Sequence, residues 1–168
     1  MSTAPESIVQ PCLEAGNPVA AEVARGVSRL FARQELFGIC EVPLPNGRRA
    51  DIMAIDPKGN LTIVEIKVAR SDLLSDCKWT DYLEFCDRFY WAVAPHLATV
   101  LDNECYLPKE AGLIVADRYD AALIREAAHR PIAPARRKAE LLRFARRAAR
   151  RLSEQLDSTL ASDPTSWL

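Results

Sequence analysis

Asp51, Glu65 and Lys67 are the residues of this chain whose types and spacing suit chemistry. They lie in R-R-A-D-I-M-A-I-D-P-K-G-N-L-T-I-V-E-I-K, residues 48–67. Two runs rich in Ile and Val, 50–55 and 61–68, flank Asp56-Pro57-Lys58-Gly59-Asn60, a segment dense in turn formers. Runs joined by so short a loop pair antiparallel. With Ile55 opposite Leu61, Asp51 falls opposite Glu65 and Arg49 opposite Lys67. Side chains alternate along a strand, so Arg49, Asp51, Met53 and Ile55 are expected on one side with Leu61, Ile63, Glu65 and Lys67.

That side mixes aliphatic residues with two carboxylates and a lysine. Like charges directly opposite each other destabilise a strand pair, and burying them costs more unless they are paired or bind a metal. A hard cation such as Mg²⁺, which prefers carboxylate and water oxygens, removes the repulsion. Asp51 and Glu65 therefore read as metal ligands, and Lys67 as the cation that stabilises charge developing beside them. The competing reading is a structural acid–lysine ion pair at a strand end, and the spacing alone leaves both open.

The residues quoted so far are part of a wider likeness. From about Asn17 to Arg151 the chain resembles the MmcB-like bacterial DNA-repair proteins of the PD-(D/E)XK nuclease-like superfamily. The likeness rests on P-L-P-N-G-R-R-A-D-I-M-A-I-D (43–56), I-V-E-I-K (63–67), D-C-K-W-T-D-Y (76–82) and F-C-D-R-F-Y-W-A-V (85–93). The first two match the superfamily's carboxylate hairpin; the last two are more specific to the smaller family. Ala50 stands where the superfamily has proline, a position that carries no chemistry. The resemblance implies a restriction-endonuclease-like core and metal-dependent hydrolysis of DNA, with Mg²⁺ or Mn²⁺ as cofactor and DNA as partner. It implies the Ile66 carbonyl as a third protein ligand and Glu22, on the first helix, as a further member of the metal cluster. It also places a Lys, Gln or Tyr near the site, which here points to Lys78 and Tyr82. A catalytically silent DNA-binding or assembly protein that kept the nuclease fold is the alternative, and an interaction module unrelated to DNA is a third.

The elements that must position these residues follow from pattern. Asn17-Pro18 is a strong helix start, an N-cap followed by proline at the first helical position. Val19, Val23, Val27, Leu30 and Phe31 repeat at helical spacing and are expected in the core. Glu22, Gly26, Arg29 and Arg33 form the neighbouring stripe, so Glu22 either borders the buried face or is a solvated acid. A first strand over 39–44 carries Pro43 and is followed by Pro45, which marks it as an edge strand or an early stop. A turn at 45–47 leads into the hairpin, giving a three-stranded antiparallel meander. After Lys67, Ser71 and Thr80 are candidate caps for two short helices. Lys78 can meet phosphate. Trp79 can stack a base, although core packing suits Trp79 and Tyr82 better. Asp76 is a weaker candidate for a supporting acid. Strands are expected over 88–94, 112–116 and 121–125, and a long helix over 134–156. Leu141, Ala145, Ala148, Leu152 and Leu156 form its expected apolar stripe. Arg143, Arg146, Arg147 and Arg150 lie largely elsewhere, as a solvated or a phosphate-contacting face. The whole reads as an α/β fold, a mixed sheet flanked by helices, in one domain over 17–156 with loose ends at 1–16 and 157–168, where Trp167 is a candidate to dock.

Composition sets the bounds. Apolar residues make up 49% and charged residues 27% of 168, which suits an ordinary folded domain able to bury a core. The net charge of −1 excludes a globally basic nucleic-acid binder. Residues 133–168 nevertheless hold seven Arg and one Lys against four acids, a net +4, which leaves −5 for the remainder. Five cysteines include no C-x-x-C pair, and His96 and His129 stand alone, so no zinc pattern is present. With no leader or apolar span in the sequence, reduced thiols in a cytoplasm are expected.

Overall fold

The computed structural model describes residues 17–76, 78–157, 159 and 160. Its centre is a six-stranded mixed sheet in chain order: β1 (Phe37–Pro43), β2 (Arg49–Ile55), β3 (Leu61–Lys67), β4 (Arg88–Val93), β5 (Gly112–Ala116) and β6 (Ala121–Arg125). The first three pair antiparallel as a meander, β3–β4 and β4–β5 pair parallel, and β6 returns antiparallel. The expected edge position of the proline-bearing first strand holds, although the strand starts at Phe37 and takes in Gly38. The hairpin register is also as expected, with Ile55 opposite Leu61 and Ile52 opposite Val64.

Among the described residues three α-helices flank the sheet: α1 (Pro18–Arg33), α2 (Arg70–Ser75) and α3 (Pro134–Leu156). Asn17 caps α1 by accepting a hydrogen bond from the Val19 N–H at 2.9 Å. Val23, Val27, Leu30 and Phe31 bury against one face of the sheet with Ile52, Ala54, Val64 and Ile66. Val19, expected with them, is 43% exposed, because it lies in the first turn, beyond the sheet's cover. Gly26 lets α1 approach the β5–β6 turn: a β-carbon there would come within 2.3 Å of the Asp117 carbonyl oxygen. Arg29 donates to the carbonyls of Arg118 and Tyr119, and Arg33 pairs with Asp120 at 2.7 Å, so these arginines clamp that turn.

Both parallel crossovers and α3 cover the opposite face. There Leu73, Trp79, Tyr82, Phe85, Leu97, Leu101 and Tyr106 pack on Met53, Ile63, Phe89 and Trp91. Trp79 is 3% exposed and sits 5.2 Å from the Phe89 ring and 5.3 Å from Trp91, so it is a core residue and unavailable to stack a base. Neither expected cap forms. Ser71 lies inside α2 behind Ala69, and Thr80 lies inside a short 3-10 helix, Trp79–Tyr82.

The inward face of α3 differs from the expected stripe. Leu141, Phe144 and Ala148 pack on the sheet, whereas Leu152 is 57% and Leu156 80% exposed. The reason is polar. The inward sector also carries Arg137, which grips buried Asp87, and Glu140, itself 2% exposed, so apolar periodicity alone selects the wrong phase. Asp87 accepts hydrogen bonds from the backbone N–H groups of Leu61 and Ile132 and from both arms of Arg137, which ties α3 to the start of β3. Among the described cysteines, Cys86 is free and buried, Cys105 is free and exposed, and Cys40 is disulfide-bonded, so the expectation of reduced thiols fails at that position. The readings for residues 1–16, Cys77 and Trp167 lie outside the described residues.

Candidate active site

The site is built where β2 breaks its own pairing. The β1–β2 ladder omits Glu41 and Asp51, and the β2–β3 ladder stops at Ile52–Val64. Glu41 has φ 54°, a left-handed conformation uncommon outside glycine, and β1 shifts its alternation there: Ile39 and Val42, three residues apart, join the same core. On β2, Ala50 and Met53, also three residues apart, join that core too, although strict alternation would separate them. This corrects the simple picture in which Arg49 joins Asp51 on one side opposite Lys67. Arg49 turns outward and pairs with Glu41 at 2.5 Å.

In the gap so opened, side chains replace the ladder. The Asp51 N–H donates to Glu65 Oε1 at 3.3 Å, and the Ile66 N–H donates to Asp51 Oδ2 at 2.7 Å. Each carboxylate is thus aimed by the neighbouring strand's backbone with one oxygen committed. Asp51 Oδ1 accepts no hydrogen bond among the described residues, and Glu65 Oε2 lies 3.9 Å from Lys67 Nζ. Lys67 Nζ is closer to Asp76 Oδ2, at 2.9 Å, and 5.9 Å from the Trp91 ring. The Tyr82 hydroxyl donates to the Arg49 carbonyl at 3.1 Å and closes the α3-facing side.

The electrostatics are unbalanced towards negative charge. Burial, then the charge of Asp51, push Glu65 up to about 8. Burial also raises Asp51, against the Ile66 hydrogen bond and the Lys67 charge, with Glu41 adding to the rise. Burial works to depress Lys67, but its hydrogen bond to Asp76 and the charges of Asp76 and Glu65 outweigh it and hold the ammonium charged. Tyr82 is pushed up by burial and by Glu65 and stays protonated. A carboxylate pair of this kind, Glu65 buried and Asp51 half-buried, suits a hard cation, because oxygen donors and uncompensated charge are what Mg²⁺ or Mn²⁺ requires. The residues present fit such an ion: Asp51 and Glu65 with the Ile66 backbone between them.

Glu22 is on α1, which packs on the face opposite Met53 and Ile63. Among the described residues no three His, Cys, Asp or Glu side chains converge on one metal position, so Glu22 does not complete a trio with the pair. Lys78 has an exposed side chain, and its N–H donates to Asp76 Oδ1 at 3.3 Å. The four α3 arginines separate. Arg143 pairs with Glu140 at 2.5 Å and Arg150 with Glu154 at 2.6 Å, whereas Arg146 is exposed. Arg147 is half-buried and has no hydrogen bond or ion pair among the described residues, and burial, then Arg150, lower its pKa. Two residues escaped the sequence reading. Glu41 faces Asp51 across the β1–β2 register, a placement that carrying the pairing back through the turn at 45–47 would have found. Arg151 donates to the Glu41 carbonyl at 3.2 Å, and no spacing signals so long-range a contact.

The family model for DNA repair proteins described as MmcB-like matches residues 11–159. The chain belongs to that family. A solved structure of a protein of unknown function from Silicibacter pomeroyi is 40% identical, with a TM-score of 0.76 over 85% of this chain and 94% of that one. No curated protein matches the chain. Among the described residues no helix is long and apolar enough to cross a membrane.

Proposed function

We propose that this MmcB-like protein is a metal-dependent nuclease of the PD-(D/E)XK type that hydrolyses DNA phosphodiester bonds in repair. The observation that carries the reading is the pair of buried Glu65 and half-buried Asp51, each carboxylate oriented by a backbone N–H and neither neutralised by direct contact with a cation. Asp51, Glu65 and the Ile66 carbonyl would hold Mg²⁺ or Mn²⁺. When bound there, the ion supplies Lewis acidity towards a phosphoryl oxygen and lowers the pKa of the attacking water. Lys67 keeps its proton beside these acids, so it acts as a fixed positive charge towards the transition state and not as the general base. Arg147 and Arg151, on the half of α3 nearest Glu41, suit the phosphate backbone, with Arg146 and Lys78 as outlying contacts and Arg143 and Arg150 partly satisfied by their own helix. Asp51, Glu65 and Lys67 are the residues assigned to catalysis.

The test is cleavage of duplex, single-stranded, flap and junction DNA with Mg²⁺ or Mn²⁺, comparing wild type with Glu65→Gln and Lys67→Ala. The nuclease reading expects metal-dependent cleavage by wild type alone at full rate, with DNA binding kept in both variants. The second reading, a silent nuclease-fold DNA-binding or assembly protein, draws on the Lys67–Asp76 contact, which a structural lysine would also make. DNA binding without cleavage on every substrate and with either metal would select it.

A further inference from the structure

We infer that Asp76 is a positioning residue: it draws the Lys67 ammonium off Glu65 and so leaves the Asp51–Glu65 pair available to a divalent cation. The inference rests on the reading of that pair as a cation site. A lysine two residues along the strand from a buried glutamate is well placed to neutralise it, and an ammonium seated on Glu65 would compete with a metal ion for the same oxygens. The geometry avoids this. Lys67 Nζ makes direct contact with Asp76 Oδ2 at 2.9 Å and stands 3.9 Å from Glu65 Oε2, outside hydrogen-bond range. Both Lys67 and Asp76 side chains are 15% exposed, so solvent does not scramble the pair as it does an ion pair in open water.

Asp76 is itself held from two directions. Its Oδ1 accepts from the Lys78 N–H, and its own N–H donates to the Leu73 carbonyl at 3.2 Å, ending α2. Leu73 is 1% exposed in the core, and its carbonyl also accepts from the Tyr106 hydroxyl at 2.9 Å. The crossover after β3 therefore delivers a carboxylate to one side of Lys67, and the Trp91 ring lies near the same ammonium. Remove the charge of Asp76 and Glu65 becomes the nearest carboxylate to Lys67.

The test is Mn²⁺ binding to the full chain at pH 8, read as free Mn²⁺ by electron paramagnetic resonance, with folding checked by circular dichroism. Asp76→Asn should weaken Mn²⁺ by about tenfold or more, the scale on which groups behind the ligands act. Asp76→Glu should recover part of the loss. Asp76→Ser, which keeps an oxygen for the Lys78 N–H but no charge, should weaken binding likewise and serves if the Asn variant does not fold. The deciding arm is a Lys67→Met background, where Asp76→Asn should change affinity by less than about twofold, since the effect runs through the ammonium. Equal affinity of wild type and Asp76→Asn overturns the inference. So does a loss as large in the Lys67→Met background, which would be the plain effect of one negative charge fewer. Absence of Mn²⁺ binding by wild type overturns this inference together with the cation-site reading, whereas binding by wild type with an unaffected Asp76→Asn variant overturns the inference alone.

Discussion

A buried carboxylate sits near each end of strand β3, Asp87 just before β4 against its start and Glu65 near its end, and the two are treated in opposite ways. At its start Asp87, 1% exposed, accepts two backbone N–H bonds and a two-armed arginine. Despite the cost of burial, these hold Asp87 below the usual carboxylate range, so it is ionised and satisfied. At its end Glu65, 4% exposed, accepts one backbone N–H, faces a second carboxylate and has its lysine at 3.9 Å. Burial and Asp51 push it up to about 8. The first carboxylate is finished structure. The second is a buried carboxyl that lacks a close cationic partner and so holds its proton well above the usual carboxylate range.

The largest effect expected from this contrast is at the structural end. Arg137→Met leaves Asp87 buried without its charge partner and should cost roughly 3–5 kcal/mol in urea unfolding. A loss below about 1 kcal/mol would make the pair no better than a surface one. The depressed pKa of Asp87 sets the sign of its pH dependence: its contribution is present at neutral pH and disappears as pH falls through the folded value. At the other end, Lys67→Ala should lower cleavage about 10²- to 10³-fold while DNA affinity holds, as expected when a fixed charge facing the transition state is lost. An unchanged rate would return Lys67 to a structural role.

Glu65→Gln sharpens the comparison in the reverse direction. A carboxylate whose folded pKa is raised binds its proton more tightly in the fold than in the unfolded chain. The metal-free protein should therefore lose stability as pH rises from near 4.5 towards 8. Glu65→Gln removes that loss, so the variant should exceed wild type by about 1 kcal/mol or more at pH 8 and match it near pH 5. Equal curves at both pH values would show Glu65 to be compensated after all. The smallest effect is on binding: Arg147→Gln should lower the salt-dependence slope of DNA affinity by about one, and Arg143→Gln or Arg150→Gln by less, since those two face Glu140 and Glu154. An equal change in all three would put them on one solvated face.

What the sequence made legible was local. Pro57 and Gly59 in a five-residue loop between Ile- and Val-rich runs set the hairpin register, and the register brings Asp51 to Glu65. Asn17 and Pro18 announced α1, and Pro43 the edge strand. What escaped depended on distant partners. The kink at Glu41 is a backbone conformation that no side-chain pattern encodes, yet it falls where the β1–β2 ladder skips Glu41 and Asp51. The inward face of α3 carries Arg137, which Asp87 before β4 satisfies, and Glu140, which Arg136 and Arg143 of the same helix satisfy, so a search for apolar periodicity settles on Leu152 and Leu156, which solvent reaches. Asp76 reads in the sequence only as a weaker candidate for a supporting acid, and its partner, Lys67, emerges only when the crossover folds it there.

The central claim is that Asp51 and Glu65 form an uncompensated cation site. Thermal unfolding at pH 8 with and without Mn²⁺ tests it most directly, on wild type and Glu65→Gln side by side. The account predicts that Mn²⁺ raises the Tm of wild type, by more at pH 8 than at pH 6 because Glu65 must give up its proton to bind, and leaves Glu65→Gln nearly unmoved. A wild-type Tm that ignores Mn²⁺ at pH 8, or a shift of equal size in Glu65→Gln, would contradict it.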